Sequence, residues 1–329
     1  FYENCRRANE YKEGEYSQIQ GEDKACGTFA LELFKLGNNG HEWSHLDAAL
    51  KDDEAFALKA ATASGDVLKY MRDEYKRIRA IVLAAVTNAG QVLRYADQSF
   101  RKDAEIALAA VTNDGAALRY VDPSFQDMDI FVLPAVKECP FALQWASTRM
   151  RRNREVVLAA VQKHGAQLMY ADEQRKRDRR IVLAAIENWP EALQYADREL
   201  RGDREIAMAA VRRDGSLFSR VAAVSENLRD DRDLVIAAVR KYPSALKWAS
   251  SRLRDNFYVV MQAVTAIPHE ATPMALQHAS ERLRQNIDIV RAAVRGDPEA
   301  LDYALEPARS IVREEVQREA EQTIAQATA

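Results

Sequence analysis

The chain has 329 residues, 47% of them hydrophobic and 29% charged, with a formal net charge of −3 at pH 7. A balance so near neutrality gives no general attraction to nucleic acid or anionic lipid, so a protein partner is favoured over a nucleic acid. Apolar runs such as Ile81–Val86 are far shorter than the roughly 20 residues that span a bilayer, so the sequence predicts no membrane segment.

The chain starts at Phe1 and shows no signal peptide, so we expect a fragment of a longer protein. Its three cysteines are too few for a disulfide framework and indicate a reducing compartment. The expected location is the cytoplasm, or a host cytoplasm if the protein is a delivered effector.

Residues 1–45 contain the candidate catalytic residues. After Cys26 the apolar residues Phe29, Leu33 and Leu36 fall on one helical face, which predicts that Cys26 lies at a helix N-terminus. The partial positive charge there lowers the pKa of a thiol and favours the nucleophilic thiolate. Gln20, upstream, could offer its side-chain amide to an oxyanion.

This arrangement, over residues 16–36, resembles the clan of ubiquitin-like-protein proteases, adenovirus-type proteases and related effector acetyltransferases. Their nucleophile lies in a Gln-x5-Cys-Gly-x-Phe/Tyr context, so the resemblance implies Cys26 as nucleophile and Gln20 as oxyanion-hole residue. The clan's catalytic His and acidic partner precede the Gln, whereas His41 and His45 follow Cys26. Residues 1–45 would then be the C-terminal part of an α/β catalytic domain plus a linker, inactive alone. The alternative is a buried cysteine that opens an ordinary amphipathic helix.

Residues 46–307 repeat with a period of about 25 residues, which predicts stacked helical units. One slot holds a leucine or another large apolar residue: Leu58, Leu83, Leu108, Leu133, Leu158, Leu183, Met208, Ile236 and Met261. A turn slot holds Gly65, Gly90, Gly115, Pro140, Gly165, Pro190, Gly215, Pro243, Pro268 and Pro298. An aromatic slot holds Tyr70, Tyr95, Tyr120, Trp145, Tyr170, Tyr195, Trp248 and Tyr303.

Residues 203–215 show how the first helix of a unit is specified. Asp203 is a good N-cap, Arg213 suits the last turn, and Gly215 is predicted to stop the helix in a left-handed conformation. The same N-cap slot holds Asp53, Asp103, Asn153, Asp178, Asp231, Asn256 and Asn286. The middle of this helix is apolar on every side, so we expect burial all round, Leu158 included.

The second half of a unit, as in Pro190–Leu200, predicts a shorter helix with the proline in its first turn. Leu193 and Ala196 are expected to face the core, with Tyr195 at its edge. The fold class is therefore an all-α solenoid of helix pairs. Residues 308–329 break the register and predict one longer helix that caps the array.

The units resemble a known helical repeat family, whose repeats read like Leu-Arg-x-Asp-Arg-Glu-Val-Val-Leu-Ala-Ala-Val. Residues 150–161 and 200–211 nearly match that pattern, and the resemblance covers about residues 46–305. That family is known as a domain of unknown function, often within large effector-like proteins. The resemblance supports the fold and implies no chemistry.

Basic residues recur in one inter-unit loop and would form a stripe that could meet phosphates or an acidic protein surface: Arg151, Arg152, Arg154, Lys176, Arg177 and Arg180. The alternative is a solvated loop edge. Insertions around 217–225 and at 269–273 are further candidate binding features, and the alternative is a tolerated surface loop. The histidines have no partners at metal-ligand spacing, so neither a metal nor a cofactor is expected.

Two hypotheses follow. In the first, the chain is a protein-interaction scaffold, the binding part of a larger effector-like protein. In the second, it is the C-terminal fragment of a cysteine peptidase (deubiquitinase-like) or acetyltransferase with Cys26 as nucleophile.

Overall fold

The computed structural model of the protein describes residues 32, 35, 36, 40–222, 225–266 and 273–328. All regular elements in these ranges are helices, so the predicted all-α helical repeat fold of the solenoid type is confirmed. The described residues form two compact units. The first extends to Lys163 and includes Tyr170–Asp172, and the second contains His164–Met169 and the residues from Glu173 onward. The 269–272 part of the predicted insertion lies outside the described ranges.

Each repeat begins with a main helix, which in most repeats follows a polar N-cap. The main helices of the first unit are α1 (Glu54–Ala63), α2 (Arg79–Asn88), α3 (Ala104–Asn113), α4 (Asp129–Glu138) and α5 (Arg154–Lys163). Those of the second are α6 (Arg179–Asn188), α7 (Arg204–Arg213), α8 (Arg232–Lys241), α9 (Phe257–Val264) and α10 (Ile287–Gly296).

The predicted N-caps are confirmed, since each side chain accepts a hydrogen bond from the first turn of its helix. The Oδ1 atom of Asp103, for example, accepts from the backbone N–H groups of Glu105 and Ile106 at 3.0 and 3.1 Å. In Asn153 the amide oxygen does the same for Glu155 at 2.9 Å. Helices α2 and α4 follow Ile78 and Met128 instead and have no side-chain cap.

The second element of a repeat differs from the predicted short α-helix, because in most repeats it is a 3-10 helix. These 3-10 helices are Gly40–His45, Gly65–Lys69, Gly90–Tyr95, Gly115–Arg119, Pro140–Trp145, Gly165–Tyr170, Pro190–Tyr195, Gly215–Leu217, Pro243–Trp248 and Pro298–Tyr303. These segments have six residues or fewer, a length at which the tighter hydrogen bonds between residues i and i+3 are common. An example is the bond from the Ala196 N–H to the Leu193 carbonyl. The proline placement, the burial of Leu193 and Ala196 and the half-buried position of Tyr195 are confirmed.

A third element, the linking helix, completes each repeat. The linking helices are Ala48–Lys51, Tyr75–Arg77, Gln98–Lys102, Phe125–Asp127, Thr148–Arg152, Glu173–Lys176, Arg198–Arg201, Glu226–Arg229, Ser251–Arg254 and Glu281–Arg284. Two α-helical segments, Phe218–Ala222 and Pro273–Gln277, lie between the main and linking helices where the sequence has its insertions.

Successive repeats are joined by a backbone hydrogen bond. The donor is the N–H of a residue two or three positions after the 3-10 helix (after Pro273–Gln277 in the case of Ser280), and the acceptor is a carbonyl in the linking helix of the preceding repeat. In the first unit Asp97, Asp122, Ser147 and Asp172 donate to Lys76, Arg101, Gln126 and Arg151 at 2.9–3.1 Å. In the second unit Asp197, Ser250, Ser280 and Leu305 donate to Lys176, Arg229, Arg254 and Arg284, again at 2.9–3.1 Å.

The core lies between main helices and 3-10 helices, and it does not surround the main helix. In α2 the side chains of Ile81, Val82, Ala85 and Val86 are at most 1% exposed, and the helix packs against α1, α3 and the adjacent 3-10 helices. The leucine slot faces the remaining, solvent side and is only half-buried, as at Leu158. The prediction of burial all round was therefore wrong, since the neighbours cover three sides of the helix.

The glycine slot is explained by close packing and not by a left-handed helix stop. None of the described glycines has a backbone φ in the left-handed region. A Cβ atom built on Gly90 would lie 2.1 Å from the carbonyl oxygen of Ala110 in the next main helix. The Gly90 N–H also donates to Oδ1 of Asn113, at the end of that helix, at 2.8 Å. A Cβ atom at Gly90 would therefore force these two repeats apart.

The predicted C-terminal helix is confirmed as α11 (Ala308–Thr328). It packs against α10, with Val312 buried and Glu315 paired to Arg291 at 2.8 Å. Its apolar face is only partly covered, because Ile324 is 64% exposed.

Candidate functional site

Cys26 and Gln20 lie outside the described residues, so the catalytic pair stays a prediction from the sequence. The two histidines that follow them are described. His41 and His45 lie in the 3-10 helix Gly40–His45, with their ring centroids 5.3 Å apart. His41 also meets the ring of Tyr70 edge-on, at a centroid distance of 5.2 Å. Both histidines thus belong to the start of the repeat array.

The solvent side of the main helices carries an apolar row that the sequence interpretation had assigned to the core. In the first unit this leucine row comprises Leu58, Leu83, Leu108, Leu133 and Leu158. In the second unit its equivalents are Leu183, Met208, Ile236 and Met261, and in α10 the slot holds Arg291. Most members are half-buried and Leu58 is 37% exposed. The first unit therefore presents one large apolar side chain per main helix on a single face, and the second unit does so on α6 to α9.

A cleft of about 440 Å³ opens on this face in the second unit, between α6 and α7. Its apolar lining consists of Leu183, Ala184, Ile186 and Ala209. Arg180, Arg213 and Glu187 are its charged lining residues, and Arg213 lies 4.0 Å from Glu187. Two cations against one carboxylate make the lining net positive. Of the basic residues singled out in the sequence, Arg180 is placed at this cleft.

The predicted basic residues of the first unit are partly engaged by the protein itself. The exposed Arg152 forms an ion pair with Asp172 at 3.1 Å. The half-buried Arg151 donates from Nε to the Ala146 carbonyl at 2.9 Å. Arg154 is exposed in the first turn of α5.

In the second unit two of the predicted basic residues also meet carboxylates. Lys176 lies 2.8 Å from Glu173, and Arg177 lies 3.2 Å from Asp197. A hydrogen bond from the Glu199 N–H, together with Arg177, holds the pKa of Asp197 below its ordinary value. Arg180 is exposed. Such pairs reduce the charge that Lys176 and Arg177 offer to another molecule.

Arginine–carboxylate pairs also link the N-termini of neighbouring main helices. Arg79 at the start of α2 lies 2.8 Å from the N-cap Asp103 of α3, and Arg179 lies 2.6 Å from the N-cap Asp203. The hydrogen bond from Arg79 is the main cause that lowers the pKa of Asp103, and Arg179 does the same for Asp203. These carboxylates serve the joints between repeats.

The sequence favours packing at the core edge for the aromatic slot, with a ligand ladder as the alternative. In the first unit the slot forms a ladder with basic residues, which were not singled out from the sequence. The cationic groups of Lys69, Arg94 and Arg119 lie 4.9, 4.5 and 4.5 Å from the ring centroids of the following tyrosines, Tyr70, Tyr95 and Tyr120. Arg119 also reaches the ring of Trp145 at 5.9 Å. The signal was a Lys/Arg–Tyr dipeptide in three successive repeats. We call these residues the cation–tyrosine ladder.

A cleft of about 490 Å³ lies along this ladder and is lined mostly by polar groups. Its lining includes Lys69, Tyr70, Arg94 and Tyr95, and the carboxylates of Asp66 and Asp114. Hydrogen bonds to the hydroxyl groups of Tyr120 and Tyr95 raise the pKa of Arg94 above its ordinary value, so its charge persists at any physiological pH.

Among the described residues, no cluster of three or more His, Cys, Asp or Glu side chains is placed to hold a metal ion. Within the same ranges, every helix is too short or too polar to cross a lipid bilayer.

Comparison with known proteins identifies the repeat. No curated protein and no solved structure was found that matches the chain. A family described as a domain of unknown function, DUF4116, matches residues 79–126, 130–175, 178–222, 224–254 and 256–306, together more than half of the chain. The first three matches each span two main helices, from α2 and α3 to α6 and α7. The chain therefore belongs to the DUF4116 family of helical repeat proteins.

Proposed function

We propose that the chain is a protein-interaction scaffold that holds a partner protein on the solvent side of its main helices. The observation that carries this proposal is the leucine row, which keeps a large apolar side chain at a position that the core does not require. Contiguous apolar patches on a soluble surface typically mark binding sites for other proteins. Because the row continues over successive main helices, the apolar surface is extended along each unit.

The cleft between α6 and α7 favours an amphipathic helix of the partner as occupant. An apolar floor flanked by side chains of the two main helices fits the helix-in-groove mode of recognition. Because Arg180 and Arg213 outnumber Glu187 at the cleft, the partner helix would carry acidic residues beside its apolar face. The other basic residues, Arg151, Arg152, Arg154, Lys176 and Arg177, are proposed to guide the approach of such an acidic partner.

The test compares binding by the intact chain and by variants of this face. Leu108→Lys and Leu183→Lys place a charge in the leucine row of each unit, whereas Phe141→Lys alters a 44% exposed apolar residue on a 3-10 helix. Proteins captured from host lysate by the wild-type chain should be lost with the two leucine variants and kept with Phe141→Lys. Circular dichroism spectra should show the same helix content for all chains. Equal capture by the leucine variants and the wild-type chain would contradict the proposal.

The enzymatic alternative, a cysteine peptidase or acetyltransferase fragment, is carried by Cys26 and Gln20 alone. It requires a histidine and an acidic residue from sequence that precedes Gln20. Chemical labelling of Cys26 tests it independently of any binding partner.

A further inference from the structure

We infer that the cation–tyrosine ladder of the first unit binds an acidic peptide segment in the polyproline II conformation. This surface lies on the 3-10 helices and is distinct from the leucine row, so the inference goes beyond the proposed function. Such binding depends on attraction of anions by the ladder, on a match between the spacing of its cations and that of the acidic side chains, and on a better fit for a peptide than for a nucleic acid.

The attraction comes from cations that are not engaged in ion pairs, although the carboxylates of Asp66 and Asp114 also line the cleft. Lys69, Arg94 and Arg119 are all exposed, and among the described residues none of them forms an ion pair. Elsewhere in the same unit, exposed arginines such as Arg149 and Arg152 are paired with carboxylates at 3.0 and 3.1 Å. The ladder cations instead rest on tyrosine rings, which fix their positions and leave N–H donors for a ligand.

The spacing of the ladder follows the stacking of the repeats. Each repeat contributes one cation and one aromatic ring, and neighbouring packed helices lie about 8–10 Å apart. A polyproline II helix has three residues per turn and rises about 9 Å in that turn, so every third side chain points the same way. Acidic residues at every third position would therefore meet Lys69, Arg94 and Arg119 in succession.

The other groups in the cleft favour a peptide over single-stranded nucleic acid. Nucleic acid binding of that kind needs open ring faces on which bases stack. Here Arg119 occupies a face of Tyr120 and Arg94 lies over the ring of Tyr95. The carboxylates of Asp66 and Asp114 in the cleft repel a phosphodiester backbone, which carries a charge at every nucleotide, more than a peptide with one acidic side chain in three, and Asp66 can accept an N–H from such a peptide. The volume of about 490 Å³ lies within the usual range for a binding cleft.

The experiment measures fluorescence anisotropy of a labelled peptide made of four Glu-Pro-Pro triplets, titrated with the full chain. The wild-type chain should bind it more tightly than a peptide of the same composition with the glutamates clustered at one end, or than a Lys-Pro-Pro peptide. Because a hydrogen bond to a charged group contributes about 1.5–3 kcal/mol, Arg94→Gln and Arg119→Gln should each weaken binding by about tenfold or more. Arg252→Gln, an exposed arginine of the second unit, and Leu108→Lys, in the leucine row, should leave the affinity unchanged.

Three results would overturn the inference. The first is failure of the wild-type chain to distinguish the spaced from the clustered peptide, a comparison that needs no variant to fold. The second is undiminished binding by Arg94→Gln and Arg119→Gln. The third is tighter binding of a thymidine oligonucleotide than of the Glu-Pro-Pro peptide. Whether Leu108→Lys still captures partner proteins tests the proposed scaffold alone. The scaffold and the peptide site can therefore be refuted separately.

Discussion

Replacing Gly90 with alanine tests whether the repeats owe their spacing to the missing side chain. The new Cβ atom would lie 2.1 Å from the carbonyl oxygen of Ala110 and 3.0 Å from the backbone nitrogen of Asp114. That oxygen accepts the helix-ending hydrogen bond from the Asp114 N–H at 2.9 Å, so it cannot move without disturbing the end of α3. The repeats must therefore separate by about 1 Å, the difference between 2.1 Å and a normal contact.

The expected cost combines two effects. Overpacking of this kind typically costs about 1–3 kcal/mol, and weakening the Gly90 N–H bond to Asn113 adds about 1 kcal/mol. Alanine restricts the unfolded chain, which offsets about 0.4–1 kcal/mol. Gly90→Ala should therefore lower the free energy of unfolding by about 1–3 kcal/mol.

Gly296→Ala is the matched control. A Cβ atom on Gly296, the last residue of α10, would meet the Val264 carbonyl oxygen at 3.6 Å, an ordinary contact. Only the lower conformational entropy of the unfolded chain remains, so Gly296→Ala should stabilise the protein by about 0.4–1 kcal/mol. Urea unfolding followed by circular dichroism compares the two variants, and hydrogen exchange in α2 and α3 localises the loss, because a repeat array need not unfold in one step. If Gly90→Ala unfolds at the wild-type midpoint, or Gly296→Ala is equally destabilised, close packing does not explain the glycine slot.

Three further changes test the packing, the electrostatics and the cysteine. Val157→Ala, at a fully buried position, should lower the free energy of unfolding in urea by about 1.5–3 kcal/mol. Leu158→Ala, at a half-buried position, should lower it by less than about 1.5 kcal/mol. The reverse order would indicate that the main helix is buried on every side. Because the folded-state pKa of Asp103 lies below its ordinary 3.8, its ion pair stabilises the protein above about pH 4 and is lost as the pH falls further. In Asp103→Asn, which keeps the cap, the free energy of unfolding should therefore fall less steeply as the pH is lowered below about 4. Identical pH profiles of the two proteins would argue against the pair. In the protein extended by its upstream sequence, Cys26 should be labelled by ubiquitin-like or acyl-donor probes, and Gln20→Ala should slow labelling by about 10²–10³-fold; an unreactive Cys26 would leave only the scaffold.

Local features of the repeat could be predicted from the sequence because they depend on neighbouring residues along the chain. Asp103 and Asp203 cap helices through N–H groups two and three residues away, and a proline such as Pro190 suits a first turn whatever lies beyond it. Period and helix content followed from the same local signals. The fold class and the repeat family could therefore be predicted from the sequence.

The surface features could not be predicted because they depend on which sides of a helix have neighbours. An apolar run such as Ile81–Val86 gives the same pattern whether three sides are covered or four, so the exposed side at Leu83 was missed. The role of Gly90 depends on a carbonyl in the next repeat. In the candidate sites, the pairing of Arg152 with Asp172 could not be read from sequence spacing alone.

The bond from the Asp122 N–H to the Arg101 carbonyl, like its counterparts along each unit, uses main-chain atoms only. A duplicated copy of one repeat would thus find the same donor and acceptor on either flank, whatever side chains it carried. Among substitutions, proline at the donor position is the one that removes this link, because it lacks the N–H. Genes for such proteins can therefore gain or lose whole repeats by recombination while the joints remain intact, and selection is left free to vary the outward-facing side chains.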